Sequence, residues 1–242
     1  MNTLLQQLAP GGTLRAAINL SNFLLVSGQS PAGDWQGVAP DMARAIATRL
    51  GVQLQFVPYK TPSELADAAQ TGAWTVGMIG AEPARAEKIS FTAAYVEIEA
   101  TYLVPPGSAL RHACEVDRPG NRIAVFAGSA YALWLVRNLK HAELVHASSF
   151  DGAFSQFRGE GLEALASLTP KLVSDAARWP GSRILDGRFM GIQQAVGTGR
   201  QNAEAADFLQ GFVEEVKASG LVAGWIGRHR VQGLSVARAA AR

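Results

Sequence analysis

The sequence predicts a two-lobe α/β fold in which each lobe has a mostly parallel central sheet flanked by helices. Apolar strands alternate with amphipathic helices from residue 13 to residue 79, and the alternation starts again at residue 122. Two long extended segments, 95–105 and 186–198, follow the two series. We therefore expect the chain to cross twice between the lobes, with a ligand cleft between them.

The first series consists of strands separated by helices. Its predicted elements are strand 13–20, a loop or hairpin 21–36, helix 37–51, strand 52–58, helix 61–72 and strand 74–79. In the first helix Met42, Ile46 and Leu50 recur at four-residue steps, and Gly51 ends it. Because parallel strands need a crossover connection, this order predicts parallel pairing.

The second series repeats this pattern and then changes. Its predicted elements are strands 122–126, 143–147 and 162–167, helices 131–140, 150–158 and 170–178, strands 183–186 and 189–196, and helices 202–219 and 221–228. We assign residues 1–104 and 190–242 to lobe 1 and residues 105–189 to lobe 2. The basic tail 227–242, which includes Arg242, is expected to be a solvated, frayed terminus.

Composition excludes several classes of protein. Of the 242 residues, 48% are hydrophobic and 17% charged, which excludes a disordered chain. The 22 basic and 20 acidic side chains are scattered, so nucleic acid is not an expected partner. The single Cys114 cannot form an intrachain disulfide, and no apolar run is long enough to span a membrane. The N-terminus lacks the pattern of a signal peptide, which predicts a cytoplasmic protein or one whose leader was removed.

Sequence signatures of catalysis are missing. The chain contains no Walker A, G-x-S-x-G, C-x-x-C or H-E-x-x-H motif, and its four histidines are dispersed. We therefore predict no catalytic residues, no metal and no cofactor, and we favour a binding protein over an enzyme.

Residues that could bind an anion follow a predicted strand. Gly128, Ser129 and Ala130 lie at a strand-to-helix turn, where backbone N–H groups and the helix dipole favour negative charge. The alternative is that Ser129 only caps the helix.

An arginine follows another apolar strand. Arg85 lies in a loop where its guanidinium could bind a carboxylate through two N–H groups. The alternative is an exposed arginine that pairs with Glu82 or Glu87.

The order of these segments resembles a known family. LRAAIN at 14–19, GVAPDMARAIATRLGVQLQFVPY at 37–59 and QTGAWTVGMIGAEPARAEKISFTAAYV at 70–96 are similar to segments of the bacterial extracellular solute-binding proteins of family 3, the polar amino-acid-type receptors of ABC importers. The resemblance covers nearly the whole chain. It implies a hinged, monomeric, periplasmic protein that closes on a small solute and presents it to a permease.

The resemblance also implies roles for particular residues. Arg85 falls on the arginine that binds the ligand's α-carboxylate, and Ser129 on the residue whose backbone N–H completes that carboxylate site. Gly80 falls where the family often has Ser or Thr, and Asn22 where it often has an aromatic residue. Both departures predict a pocket of different shape.

A further departure concerns the ligand's ammonium group. Ser167, Leu168 and Thr169 occupy the segment where the family has an Asp that accepts the ammonium. A buried ammonium without a carboxylate is costly, so an ordinary amino acid would need Glu82 or Glu97 as the acceptor. The sequence therefore favours a small carboxylate solute, or an amino acid derivative whose amine side is neutral, bound by Arg85 and the turn at Ser129.

Two other functions remain open. One is a cytoplasmic orphan binding or sensor protein, which the missing signal peptide favours. The other is an enzyme on the same scaffold that resembles cyclohexadienyl dehydratase, for which Glu82 or Glu97 would be the general acid.

Overall fold

The chain crosses twice between two compact units, each time inside a long strand. A computed structural model describes residues 3–240. Residues up to Glu97 and from Gln193 onward form unit 1, and Ile98–Ile192 form unit 2. The sequence predicts boundaries after residue 104, where the first of these strands ends, and before residue 190, where the second begins. The observed crossings lie a few residues away, inside the strands.

Unit 1 begins with the predicted alternation of strands and helices. Its first elements are α1 (Thr3–Leu8), β1 (Thr13–Asn19), β2 (Gly28–Gln29), β3 (Trp35–Gln36), α2 (Val38–Leu50), β4 (Gln53–Tyr59), α3 (Pro62–Asp67), β5 (Val76–Gly80), α4 (Pro83–Ala86), β6 (Ile89–Phe91) and β7 (Val96–Val104). Single turns of 3-10 helix cover Pro10–Gly12 and Ala68–Gln70. β1 pairs in parallel with both β4 and β5, which confirms the predicted pairing.

Helix α2 has the ends and the buried face that its sequence predicts. Met42 and Ile46 are fully buried in the core of unit 1. Gly51 adopts a left-handed conformation with φ of +67°, and its N–H donates to the carbonyls of Ala47 and Thr48. Glycine reaches this conformation at little cost, so the helix ends there.

Unit 2 contains the second series. Its elements are β8 (Arg122–Phe126), α5 (Ala130–Asn138), β9 (Glu143–Ala147), α6 (Phe150–Gly159), β10 (Ala164–Leu168), α7 (Thr169–Ala177) and β11 (Arg183–Ile184), with a 3-10 turn at Ala113–Glu115. β8 pairs in parallel with β9 and β10, and β10 pairs antiparallel with β7. The core packs Phe154, Phe157 and Leu172 against the sheet.

The chain then returns to unit 1 and completes its sheet. The last elements are β12 (Met190–Gly199), α8 (Ala203–Ala218), α9 (Leu221–Arg228) and β13 (Leu234–Val236). β12 pairs antiparallel with β5. Phe212 of α8 and Trp225 of α9 belong to the same buried cluster as Met42 of α2. Among the described helices, none combines the length and the apolar character that crossing a bilayer requires.

The C-terminal segment is ordered, and the prediction of a frayed tail is wrong for the residues that the structure describes. Leu234 and Val236 pack against the core of unit 1. The N–H of Ala237 donates to the carbonyl of Tyr95 at 3.2 Å, and Lys217 Nζ donates to the carbonyl of Arg238 at 3.0 Å. Apolar packing and backbone hydrogen bonds outweigh the charge repulsion of the basic side chains. Arg242 lies outside the described residues.

Candidate functional site

Three of the predicted binding residues, Gly80, Glu82 and Arg85, lie in unit 1 at the end of β5 and in the turn that follows it. All five residues of β5 are buried, and its last residue is Gly80. Pro83 then begins α4, a single helical turn, because proline fits the first turn of a helix, where no N–H is needed. Arg85 therefore lies in a helical turn rather than in the loop that the sequence predicts.

The side chain of Arg85 is buried. Its relative exposure is 6%, and its Nη1 donates to the carbonyl of Gly80 at 2.7 Å. The interpretation of Arg85 as an exposed surface arginine is therefore wrong. A buried guanidinium needs acceptors for its N–H groups, and the end of β5 supplies one of them.

Glu82 is buried beside this arginine. Only 3% of Glu82 is exposed, and its carbonyl accepts the backbone N–H of Arg85 at 3.0 Å. Burial lowers the pKa of Arg85 to about 10, and the negative charge of Glu82 opposes that effect. The guanidinium therefore stays protonated at neutral pH.

Two glutamines of β12 lie beside this end of β5. Gln194 pairs with Gly80 across the sheet and is 5% exposed. The carbonyl of Gln193 accepts the N–H of Ala81 at 2.8 Å, and its Nε2 donates to Glu97 Oε2 at 2.6 Å. Sequence analysis missed both glutamines, because they come from a distant part of the chain and belong to no motif.

Asn22 lies in the turn after β1, at the same edge of the sheet, because β1 and β5 are parallel neighbours. It is 7% exposed, and its buried Oδ1 has no hydrogen-bond partner among residues 3–240. The next residue, Phe23, is 41% exposed. No sequence pattern singled out this aromatic side chain, which lies one position after Asn22.

In unit 2, Gly128 and Ser129 lie between β8 and α5, and Ala130 is the first residue of α5. Gly128 has a φ of +71°, a conformation that favours glycine. Ser129 Oγ accepts the N–H of Ala132 at 3.2 Å and donates to the carbonyl of Phe126 at 2.7 Å. Ser129 is therefore the N-cap of α5. Its own N–H lies 3.3 Å from the same Phe126 carbonyl, a long hydrogen bond.

Thr169 begins α7 at the same edge of the sheet, because β8 and β10 are parallel neighbours. Its Oγ1 donates to the carbonyl of Glu99 at 3.2 Å. Leu168 occupies the N-cap position, where its side chain accepts no hydrogen bond from the helix. No carboxylate therefore occupies the start of α7 in this structure.

Two buried hydroxyls accompany Ser129 in unit 2. Tyr131 and Ser167 are each 2% exposed, and neither hydroxyl has a hydrogen-bond partner of good geometry among the described residues. Burial raises the pKa of Tyr131 to about 12, and the nearby hydroxyls of Ser167 and Ser129 oppose this. Sequence analysis missed Tyr131, which lies in an apolar helix.

Each unit thus gathers its own candidates at the carboxyl edge of its parallel strands. In unit 1, Gly80, Glu82 and Arg85 lie within six residues of each other in the chain, at the end of β5. Asn22 lies at the same edge of the sheet, after β1. Among residues 3–240, no group of three or more His, Cys, Asp or Glu side chains is arranged to hold a metal ion.

The family model of the bacterial extracellular solute-binding proteins, family 3, matches residues 22–227. No curated protein shows a significant sequence match to the chain.

Solved structures share the fold at low identity. An amino acid ABC transporter substrate-binding protein from Streptococcus pneumoniae, bound to L-arginine, has a TM-score of 0.74 at 20% identity, over 97% of this chain and 99% of that one. An ancestral amino acid-binding protein described as a precursor of cyclohexadienyl dehydratase has a TM-score of 0.74 at 20% identity, over 93% and 97%. Holo ArgBP from T. maritima has a TM-score of 0.70 at 18% identity, over 91% and 99%. These structures show the two-lobe periplasmic-binding-protein fold.

Proposed function

Because the chain belongs to the bacterial extracellular solute-binding proteins of family 3, we propose that it binds a small carboxylate-bearing solute, amino-acid-like or an organic acid, for an ABC-type importer. Family membership implies a small-molecule ligand, an ABC transporter as partner, and a periplasmic or extracellular location. The identity of the charged group on the solute is our own proposal.

The observation that carries the proposal is the buried guanidinium of Arg85. It lies at the carboxyl edge of the unit 1 sheet, where open α/β sheets bind ligands. The hydrogen bond to Gly80 orients one of the five N–H groups of the guanidinium. Because burial and this hydrogen bond already restrict the side chain, binding a carboxylate would cost little additional side-chain entropy.

Unit 2 would contribute the second half of the carboxylate site. Gly128 and Ser129 precede α5 and Ala130 begins it, and the helix dipole favours negative charge at this end. In this proposal Thr169 supplies a neutral hydroxyl at the start of α7. Family membership implies hinged closure on the solute, and the two chain crossings in β7 and β12 would be the hinge.

The solute would leave the protein chemically unchanged. A dehydratase on this scaffold would need a general acid that protonates a leaving group. Incubating the protein with the solutes that it binds, and analysing them by mass spectrometry, distinguishes the two functions. Conversion at a rate above that of the Glu82→Gln and Glu97→Gln variants would replace the binding proposal with an enzymatic one.

A thermal-shift screen tests the proposal directly. The wild type is mixed with amino acids, mono- and dicarboxylates and aromatic acids, beside Arg85→Ala. A solute at a hundredfold excess over its Kd adds about 2.7 kcal/mol to the stability and so raises the Tm by roughly 5 to 10 °C. We expect this shift in the wild type and its loss in Arg85→Ala.

The matched control is Arg15→Ala. Arg15 also belongs to unit 1 and also donates to a backbone carbonyl, that of Gly72, but it lies near the amino end of β1. It should respond to the solutes as the wild type does. Equal shifts in wild type and Arg85→Ala would contradict the role of Arg85.

A further inference from the structure

Glu82 is a buried carboxylate that precedes α4 but does not cap it. It occupies the N-cap position of α4, yet its side chain accepts no capping hydrogen bond from that helix. Its relative exposure is 3%, lower than that of Arg85. Acidic side chains are almost never buried to this extent unless they are paired. The burial of Glu82 therefore has to be explained by its surroundings.

Arg85 is the positive charge nearest to Glu82 along the chain. The two residues are three positions apart, and the backbone N–H of Arg85 donates to the carbonyl of Glu82 at 3.0 Å, so both belong to the same turn. The charge of Glu82 helps to keep the buried Arg85 protonated. The end of β5 thus holds one positive and one negative charge that balance each other.

This balance affects which solutes the site can accept. A simple carboxylate that docks on Arg85 would bring a second negative charge close to Glu82. In a buried site, two like charges about 5 Å apart repel strongly enough to weaken binding by roughly 100-fold. A solute that carries both a carboxylate and an ammonium adds no net charge, and its ammonium can pair with Glu82.

The other carboxylates near the candidate residues are less suited to this role. Glu97 accepts a hydrogen bond from Gln193 Nε2 at 2.6 Å and is only half-buried. Glu99 has an exposed side chain and pairs with Arg188 at 3.0 Å. Unit 2 offers the neutral Leu168 and Thr169 at the start of α7. Glu82 is the carboxylate that is both buried and adjacent to Arg85.

We propose that Glu82 is the ammonium-binding residue of the site, and that it makes the protein select solutes with both a carboxylate and an ammonium over simple carboxylates. This inference rests on the proposed function, because Arg85 must bind the carboxylate. It narrows the proposed carboxylate-bearing solutes to those that also carry an ammonium group.

Isothermal titration with matched pairs of probes tests the selection. Each L-amino acid is compared with its des-amino carboxylate, such as L-leucine with 4-methylpentanoate. For the wild type we expect the best-binding amino acid to bind about 100-fold more tightly than its partner. In Glu82→Gln, which keeps the size of the side chain, the ratio should fall below about tenfold. The control Glu87→Gln removes an exposed carboxylate at the end of α4 and should keep the wild-type ratio.

The outcomes separate the two proposals. If des-amino carboxylates bind the wild type as tightly as the amino acids, and Arg85→Ala abolishes both, the role of Glu82 is overturned and the carboxylate proposal stands. If Arg85→Ala binds as the wild type does, both fail. If Glu82→Gln does not fold, Glu82→Asp keeps the charge and should keep a strong preference for the amino acid. A loss of preference in folded Glu82→Asp, with unchanged carboxylate binding, would also overturn the inference.

Discussion

The Nη1 group of Arg85 donates a hydrogen bond to the carbonyl of Gly80 at 2.7 Å, so the arginine side chain links the two ends of the turn 80–85. The bond joins the last residue of β5 to α4. Because Glu82 lies between them along the chain, this turn buries a positive and a negative charge within six residues, 80–85.

Removing one of these charges should destabilise the protein more than removing both. Arg85→Met removes the positive charge beside the buried Glu82, and we expect a loss of about 3 kcal/mol in the free energy of unfolding. The double variant Arg85→Met, Glu82→Gln should recover a large part of it. Urea denaturation of both single variants and the double variant gives the coupling energy. Strictly additive losses would show that the two side chains do not interact.

The hydroxyl of Tyr131 should contribute nothing to stability. It is buried without a hydrogen-bond partner of good geometry among the described residues, so Tyr131→Phe removes a desolvation cost and no bond. We expect an unchanged or slightly higher Tm. Ser129→Ala is the contrasting variant, because it removes the N-cap of α5 and should cost about 1 kcal/mol. A loss above 1 kcal/mol in Tyr131→Phe would mean that its hydroxyl is bonded.

The pair Arg122 and Glu163 should make stability depend on acidity. Burial raises the pKa of Glu163, but hydrogen bonds from the side chain and backbone of Arg122 outweigh it and hold the pKa below 4.5. The stabilisation is therefore present above pH 4.5 and is lost as the pH falls through the lower, folded-state value.

Thermal unfolding of the wild type and Glu163→Gln across pH 3 to 7 measures this contribution. The stability difference between them should shrink below about pH 4.5, and it should stay under about 1 kcal/mol, because both side chains are a third or more exposed. Glu204→Gln, which changes an exposed carboxyl on α8, is the control and should follow the wild type. A difference that grows on acidification would contradict the assignment.

Gly37 should not tolerate a side chain. It precedes α2 with a φ of +129°, and a Cβ there would collide with the carbonyl of Leu25. We expect Gly37→Ala to cost about 3 kcal/mol through strain and clash together. Gly33 also has a positive φ, +88°, but open space around it, so Gly33→Ala should cost only about 1 kcal/mol. Equal losses in a urea titration would show that the clash relaxes.

Local patterns were sufficient to predict most elements of both units. The four-residue spacing of Met42 and Ile46 and the glycine at 51 determine α2, because helix periodicity and the left-handed ending are properties of neighbouring residues. Strand β9 at Glu143–Ala147 also has the predicted bounds. Parallel pairing followed from the order of elements, since a crossover helix separates strands that run in the same direction.

Burial could not be predicted, because it depends on distant segments. The sequence offers Glu82 as a possible acceptor for an ammonium group but gives no sign of its burial, which arises because β12 packs beside β5 at that end of the sheet. The sequence around Leu234 and Val236 predicts a basic tail, but these apolar side chains pack against the core of unit 1. Charge counts describe composition, whereas burial is decided by tertiary packing.

The insertion of unit 2 within the chain of unit 1 has a consequence for synthesis on the ribosome. Residues 98–192 emerge as one uninterrupted stretch, so this unit has all its strands before the other does. β5 lacks its neighbour β12, and the core lacks Phe212 and Trp225, until the last fifth of the chain has been made. The nascent first 97 residues therefore present unfilled apolar surface while the inserted unit can already fold, and assembly of the first unit is completed last.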